Sequence, residues 1–296
     1  MGGSVNVLRR SIDEGKTLYV SDLDGTLLNQ KARLSEYTKD VLNKLISRGL
    51  NFTVATGRTT DATKKIITDI ELNIPIISFN GATIYDIKHK SYIKVYCLIA
   101  DAVKSILTVL KSFSFSVLMY KLIDNVLISY YESLEQKHMY DFVEDRKKRY
   151  KTIFSQVNDF NDVSSEHIIY FSLGDTYERI KPVYNALEEI PGINVSMINY
   201  AYSDNLWVLE IFSAEASKQN ALMFLRETYG FDKIIGFGDN LNDLPLFNAC
   251  DVRVAVNNAK DEVKAVADCI CNSYEEDGVV KWIENYIYLG KDTIYE

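Results

Sequence analysis

The ordered pattern of the chain begins with an apolar run that closes on Val20-Ser21 and breaks at Asp22-Leu23-Asp24-Gly25-Thr26, which predicts a strand ending in polar residues. Val41, Leu42, Leu45 and Ile46 then recur at helical spacing behind Ser35, a residue suited to an N-cap, and Gly49 ends that helix. Strand-like runs follow at Asn51 to Ala55, broken by Thr56-Gly57-Arg58, and at Ile74 to Phe79, broken by Asn80-Gly81, with a helical stretch between them. Strands alternating with helices predict parallel βαβ units. Each strand delivers a polar cluster to its C-terminal end, where open α/β sheets bind ligands.

From about Thr83 the rhythm changes. The pattern predicts strands at Tyr92 to Leu98, Phe115 to Tyr120, Asn125 to Tyr130, Ile168 to Leu173, Ile193 to Ile198 and Trp207 to Phe212. Helices are expected at Asp101 to Lys111, near Glu135 to Lys148, and at Tyr177 to Glu189. Adjacent strands joined by short turns suggest an antiparallel sheet with helices on one face. The α/β alternation resumes with a helix from about Ala214 to Tyr229, strands at Lys233 to Phe237, Val252 to Val256 and Cys269 to Cys271, and helices near Asp261 and Gly278. The expected fold is therefore α/β: a Rossmann-like parallel-sheet core of residues 1–83 and 213–296, with an α+β domain inserted at 84–212. Residues 1–15 show little periodicity and are expected to be an extension without a catalytic part.

At 296 residues the chain can bury a sizeable core as one large domain or two ordinary ones. Its net charge of −8 disfavours a nucleic-acid partner. No apolar run reaches membrane-span length and no signal-peptide pattern is present, so the expectation is a cytoplasmic protein with no membrane partner. Cys97, Cys250, Cys269 and Cys271 lack zinc-type spacing and read as reduced thiols. The basic run Arg146 to Lys151 reads as a solvated helix end, and His89, His138 and His167 as structural or solvated residues. Tyr200 and Tyr202 read as core or rim residues, with a sugar-binding role as the alternative.

Residues i and i+2 of an extended strand point the same way, so Asp22 and Asp24 can serve one site while Leu23 faces away. Such a pair suits covalent catalysis on phosphate, in which one carboxylate attacks and the other moves protons. A carboxylate approaching a phosphate dianion is repelled, so the site requires a hard cation and a fixed positive side chain. Gly238-Asp239-Asn240-Leu241-Asn242-Asp243 offers oxygen ligands for Mg²⁺ at the end of a second apolar strand, with Asp239 as direct ligand and Asp243 acting through water. Lys218 sits near a helix start, where a lysine gains nothing from the helix dipole.

Asp22-Leu23-Asp24-Gly25-Thr26 resembles the first motif, DxDGT, of the haloacid dehalogenase superfamily, and Gly238 to Asp243 resembles its fourth, GDxxND. The resemblance implies Asp22 as nucleophile and metal ligand, and Asp24 as acid/base with its backbone carbonyl on the metal. It further implies Asp239 as the third protein ligand, with Asn242 and Asp243 supporting the metal or the lysine. Thr56 stands at the second-motif hydroxyl that holds the transferring phosphoryl group, beside Gly57 and Arg58 as substrate-binding candidates. Lys218 stands at the third-motif lysine, followed by Gln219 where the family commonly has glycine. Asn80-Gly81-Ala82 resembles the phosphate-facing loop of the Cof-type branch with a large inserted cap. Val254 to Ala259 resembles that branch's AMGNA segment, with Asn257 replacing its glycine and Asn258 as the substrate-binding candidate.

The resemblance implies a Mg²⁺-dependent phosphatase that acts on a small phosphorylated metabolite, sugar phosphates first, through an aspartyl-phosphate. The cap is expected to close over the site and choose the leaving group. The motifs leave a phosphotransferase or phosphomutase open, since both use the same intermediate. A catalytically idle ligand-binding regulator is the alternative from another class. A dehalogenase has no need of the Asp24, Asp239 and Asp243 set.

Overall fold

The computed structural model describes residues 16–199 and 205–289, so the expected extension at 1–15 and both Tyr200 and Tyr202 lie outside the described residues. Elements follow in the order β1 (Thr17–Ser21), α1 (Glu36–Ile46), β2 (Asn51–Val54), α2 (Thr60–Ile66), β3 (Ile76–Ser78), β4 (Thr83–Asp86), β5 (Ser91–Val95) and α3 (Ala100–Lys111). Next come β6 (Leu118–Ile123), β7 (Val126–Tyr131), α4 (Lys137–Tyr150), β8 (Ile153–Gln156), β9 (Ile168–Asp175), α5 (Tyr177–Glu188), β10 (Ile193–Asn199) and β11 (Trp207–Ser213). The chain continues through α6 (Lys218–Tyr229), β12 (Lys233–Gly238), α7 (Leu244–Asn248), β13 (Val252–Val256), α8 (Asp261–Lys264), β14 (Cys269–Cys271) and α9 (Gly278–Leu289). Among the described residues no helix is long and apolar enough to cross a membrane.

One compact unit holds the described residues up to Thr56, Ile66–Ile76, and those from Leu222 onward. Its sheet runs β14-β13-β12-β1-β2, with every neighbouring pair parallel. All five residues of β1 are buried, as expected of an inner parallel strand covered on both faces. Ser35 caps α1 by accepting from the Thr38 amide at 2.9 Å, and Gly49 follows the helix at φ 100°. Ser21 pairs with both Phe237 and Val54, so the chain leaves β1, β2 and β12 at one sheet edge. The Asp22 amide donates to the Phe237 carbonyl at 3.0 Å, and the Ala55 amide to that of Ser21 at 2.9 Å. The pairing register thus brings Asp22, Thr56 and Asp239 to the same edge.

The third strand departs from expectation. β3 does not extend the parallel sheet but joins β4 and β5 in a separate three-stranded one. It is only three residues long before Phe79, Asn80 and Gly81, at φ 52°, 53° and 101°, turn the chain into β4.

The second unit comprises Gly57–Lys65 and Ile77–Ala221. Its six-stranded sheet runs β10-β11-β9-β6-β7-β8 and is antiparallel except where β8 adds parallel to β7. The short, half-exposed β8 carries little apolar signal, and the pattern gave no strand there. Helices cover both faces of this sheet, not one. Leu209 and Ile211 share a core with α3 and α5, whereas Tyr120, Tyr170 and Phe212 share one with Met139 and Val143 of α4. Met139 and Val143 are four apart and so lie on one helix face, the buried one, while the rest of α4 is half-buried or exposed and carries its many charges. Most of those charges pair locally: Arg146 and Arg149 with Asp145, Lys147 with Glu144.

Candidate active site

The acidic loop after β1 winds around one carbonyl. The Leu23 oxygen accepts from the amides of Thr26, Leu27 and Leu28 at 3.4, 3.0 and 2.9 Å, and the Leu23 side chain is fully buried. Asp22 is buried as well, whereas Asp24 is half-exposed. Gly25 completes the turn at φ 79°, where a Cβ would sit 2.4 Å from Oδ2 of Asp239. Thr26 then donates from Oγ1 to Oδ1 of Asp239 at 2.7 Å.

The loop after β12 supplies the other carboxylates. Oδ2 of Asp243 accepts from the amides of Asp239 and Asn240 at 3.0 and 3.1 Å, a capping box that fixes how Asp239 leaves the strand. Asp22, Asp239 and Asp243 each offer a carboxylate oxygen, all within 4.8 Å of one another. Three such groups repel strongly where two of them are buried, and a cation among them offsets that repulsion. An oxygen-only donor set fits a hard ion such as Mg²⁺. The Asp24 carboxylate is not in this group, and Asn242 sits half-buried in the turn between the ligands. Thr56 is buried just past β2. Asn258 spends its amide on protein: Nδ2 donates to the Gly25 carbonyl at 2.7 Å and Oδ1 accepts from the Tyr274 amide at 3.2 Å. It thereby ties the loop of residues 22–26 to the segment before Tyr274.

The remaining candidates belong to the second unit. The Arg58 carbonyl accepts from the Phe79 amide at 3.0 Å, and Gly57 faces the Asn80 side chain, 3.0 Å from Oδ1 to the position of an added Cβ. Asn80 is buried, and its Nδ2 donates to the Tyr170 hydroxyl and to Oε2 of Glu210, both at 2.9 Å. Its Oδ1 has no partner among the described residues. Gly81 lies on the backbone ahead of α6, where an added Cβ would fall 2.1 Å from the Ser217 carbonyl oxygen. The Ser217 hydroxyl caps that helix through the Asn220 amide at 2.9 Å, leaving Lys218 as a buried residue of the first turn.

The sequence marked Thr26 only as part of the first motif and did not single out Glu210 or Tyr170. Glu210 left a signal, as the one charged residue in the apolar strand Trp207–Ser213. Burial pushes its carboxyl up to about 7, against the opposing pull of hydrogen bonds from Tyr170 and Asn80 and the Lys218 charge. Burial also raises the Tyr170 hydroxyl well above the usual tyrosine range.

Comparison with known proteins identifies the family of the chain. Residues 19–283 match the haloacid dehalogenase-like hydrolase family. Among curated relatives, the 5-amino-6-(5-phospho-D-ribitylamino)uracil phosphatases YitU and YwtE of Bacillus subtilis are 26% and 27% identical. They align over 92% and 90% of this chain and 98% and 96% of their own lengths. A haloacid dehalogenase-like hydrolase from Bacteroides thetaiotaomicron superposes with a TM-score of 0.76 at 25% identity, covering 91% of this chain and 99% of that one. The chain belongs to the haloacid dehalogenase-like hydrolases. Within them it falls in the Cof-like phosphatase branch.

Proposed function

We propose that the protein is a Mg²⁺-dependent phosphatase that hydrolyses a small phosphorylated sugar or sugar-alcohol derivative through an aspartyl-phosphate on Asp22. The observation that carries this reading is the convergence of Asp22, Asp239 and Asp243 at the edge where a parallel α/β sheet binds ligands. Asp22 and Asp239 would hold the ion, with Asp243 bracing Asp239 through the shared loop. When bound, Mg²⁺ supplies positive charge that lowers the repulsion between carboxylate and phosphate.

An Asp22 carboxylate oxygen attacks phosphorus as the ester P–O bond breaks, and Asp24 gives its proton to the departing alcohol oxygen. A water oxygen then attacks the same phosphorus, Asp24 takes the water's proton, and the Asp22–phosphate bond breaks to release phosphate. By motif position, Thr56 and Lys218 hold the phosphoryl oxygens, and Gly57, Arg58, Asn80 and Gly81 bind substrate. For Asn258, the hydrogen bond to Gly25 supports an indirect part, through the loop that carries Asp22 and Asp24.

The names of the Bacillus relatives put a phosphorylated ribityl chain first among candidate substrates. The test is phosphate release from that uracil derivative, sugar phosphates, nucleotides and pyridoxal phosphate, with Mg²⁺ or with EDTA. Release that needs Mg²⁺ and ranks sugar-type monoesters first supports the reading. Release unaffected by EDTA, or none from any compound, overturns it.

A further inference from the structure

The Phe79–Gly81 turn is costly as built. Phe79 and Asn80 take φ values of 52° and 53°, a region that non-glycine residues, and bulky ones above all, seldom enter. Something must hold the turn. Part of the grip is aromatic: the Phe79 ring lies 5.2 Å from that of Tyr120 and 5.0 Å from that of Tyr170, and Tyr170 stacks on Phe212 at 5.3 Å. The rest is polar. Both hydrogens of Asn80 Nδ2 are used, one on the Tyr170 hydroxyl and one on Glu210, and Tyr170 in turn hydrogen-bonds Glu210, closing a three-residue ring.

The same carboxylate feels Lys218, whose charge favours its ionised form. Gly81 meanwhile rests directly on the Ser217–Lys218 backbone, with an added Cβ only 2.7 Å from the Lys218 nitrogen. One carboxylate on β11 therefore reaches the turn by hydrogen bond and the lysine by charge, while turn and lysine touch through their backbones. A glutamate is a poor choice for simple packing here. It shares its sheet face with Tyr170 and Phe212, where burial penalises its charge, and a neutral residue would fill the space at lower cost.

We propose that Glu210 is a positioning residue for the phosphoryl-transfer site: by accepting from Asn80, its carboxylate fixes the Asn80 turn, and with it the Lys218 backbone that the turn packs against, in their working geometry. This rests on the reading above, in which Lys218 and Asn80 serve the phosphoryl group. The groups that face Glu210 are Asn80 from the turn, Tyr170 on β9, Tyr120 on β6 and Lys218 at the start of α6. The two tyrosine hydroxyls titrate far above neutrality, so the carboxyl is the member of this set that changes charge near pH 7.

The experiment compares the full-length wild-type chain with Glu210→Gln and Tyr170→Phe. Turnover on the best substrate is followed with Mg²⁺ between about pH 5.5 and 9, and the Lys218 side chain is titrated by NMR with labelled lysine, assigned through Lys218→Arg. In wild type kcat rises as Glu210 loses its proton. In Glu210→Gln that rise disappears, kcat at pH 8 falls roughly tenfold with KM changed less than about threefold, and Lys218 titrates at lower pH. Tyr170→Phe keeps the rise in kcat and moves its midpoint. A Glu210→Gln enzyme with the wild-type pH profile and an unmoved Lys218 titration overturns the proposal. If the wild type releases no phosphate, the phosphatase reading fails by itself. The Lys218 titration then still decides whether Glu210 acts on the lysine: a shift sustains that contact and no shift removes it.

Discussion

The Thr26 hydroxyl donates to Oδ1 of Asp239 at 2.7 Å, joining loops that lie 213 residues apart in the chain. Thr26 is almost fully buried and Asp239 half-buried, so water competes for this bond from the Asp239 side alone. It restricts how Asp239 can turn, and a carboxylate held in one orientation loses less freedom on meeting a metal ion. Thr26→Val keeps the shape and removes the donor. Mg²⁺ affinity, read by calorimetric titration, is expected to fall about 10- to 100-fold, with a stability loss of about 1 kcal/mol. An unchanged Mg²⁺ affinity would show that Asp239 needs no such support.

Gly25→Ala tests the same contact from the other side. A methyl group there meets Asp239 Oδ2 at 2.4 Å, and the φ of 79° is itself unfavourable for alanine. The two effects together should cost on the order of 1–3 kcal/mol in urea unfolding and abolish detectable Mg²⁺ binding. A folded Gly25→Ala protein that binds Mg²⁺ as tightly as wild type contradicts the described packing.

Asp243→Ala removes the acceptor shared by the Asp239 and Asn240 amides. Losing a buried cap of this kind costs about 1–2 kcal/mol, and the loop that presents Asp239 should loosen with it. Amide hydrogen exchange at Asp239 and Asn240 is expected to quicken relative to the body of β12. Equal protection in both proteins would place the loop's order elsewhere.

Glu210 predicts a pH dependence of stability whose sign follows from its raised carboxyl. Its value moves from an ordinary 4.5 to about 7 on folding, so the folded chain binds the proton more tightly. Stability from this group is therefore present below pH 4.5 and is lost as pH climbs through about 7. Glu210→Gln lacks that loss and should be the more stable protein at pH 8, by on the order of 1–3 kcal/mol, with the gap closing toward pH 5. A variant that is more stable yet slower is the signature of a residue kept for function. Thermal melts at the two pH values measure it, and a Glu210→Gln protein less stable at pH 8 contradicts the prediction.

The parallel core was legible because β1, β2 and β12 are apolar runs ending in polar clusters, and their pairing brings those clusters to one edge. Asp22, Asp239 and Asp243 could be grouped for the same reason. The fate of Ile74 to Phe79 was not legible, since an apolar run does not reveal which sheet it joins and positive φ at Phe79 is no property of phenylalanine. The pattern marked a helix near Glu135 to Lys148 but not which side of the sheet it would cover. Thr26, Tyr170 and Glu210 each act through partners 90 or more residues away or on another strand, and such pairings exist only once the chain is folded.

Turnover by Asp22→Asn tests the proposed chemistry most directly. The variant keeps the shape of the buried side chain and removes the attacking charge, so it should fold as wild type does by circular dichroism while Mg²⁺-dependent phosphate release falls below detection. Phosphate release at the wild-type rate from a correctly folded Asp22→Asn protein would contradict an aspartyl-phosphate at Asp22 and the account built on it.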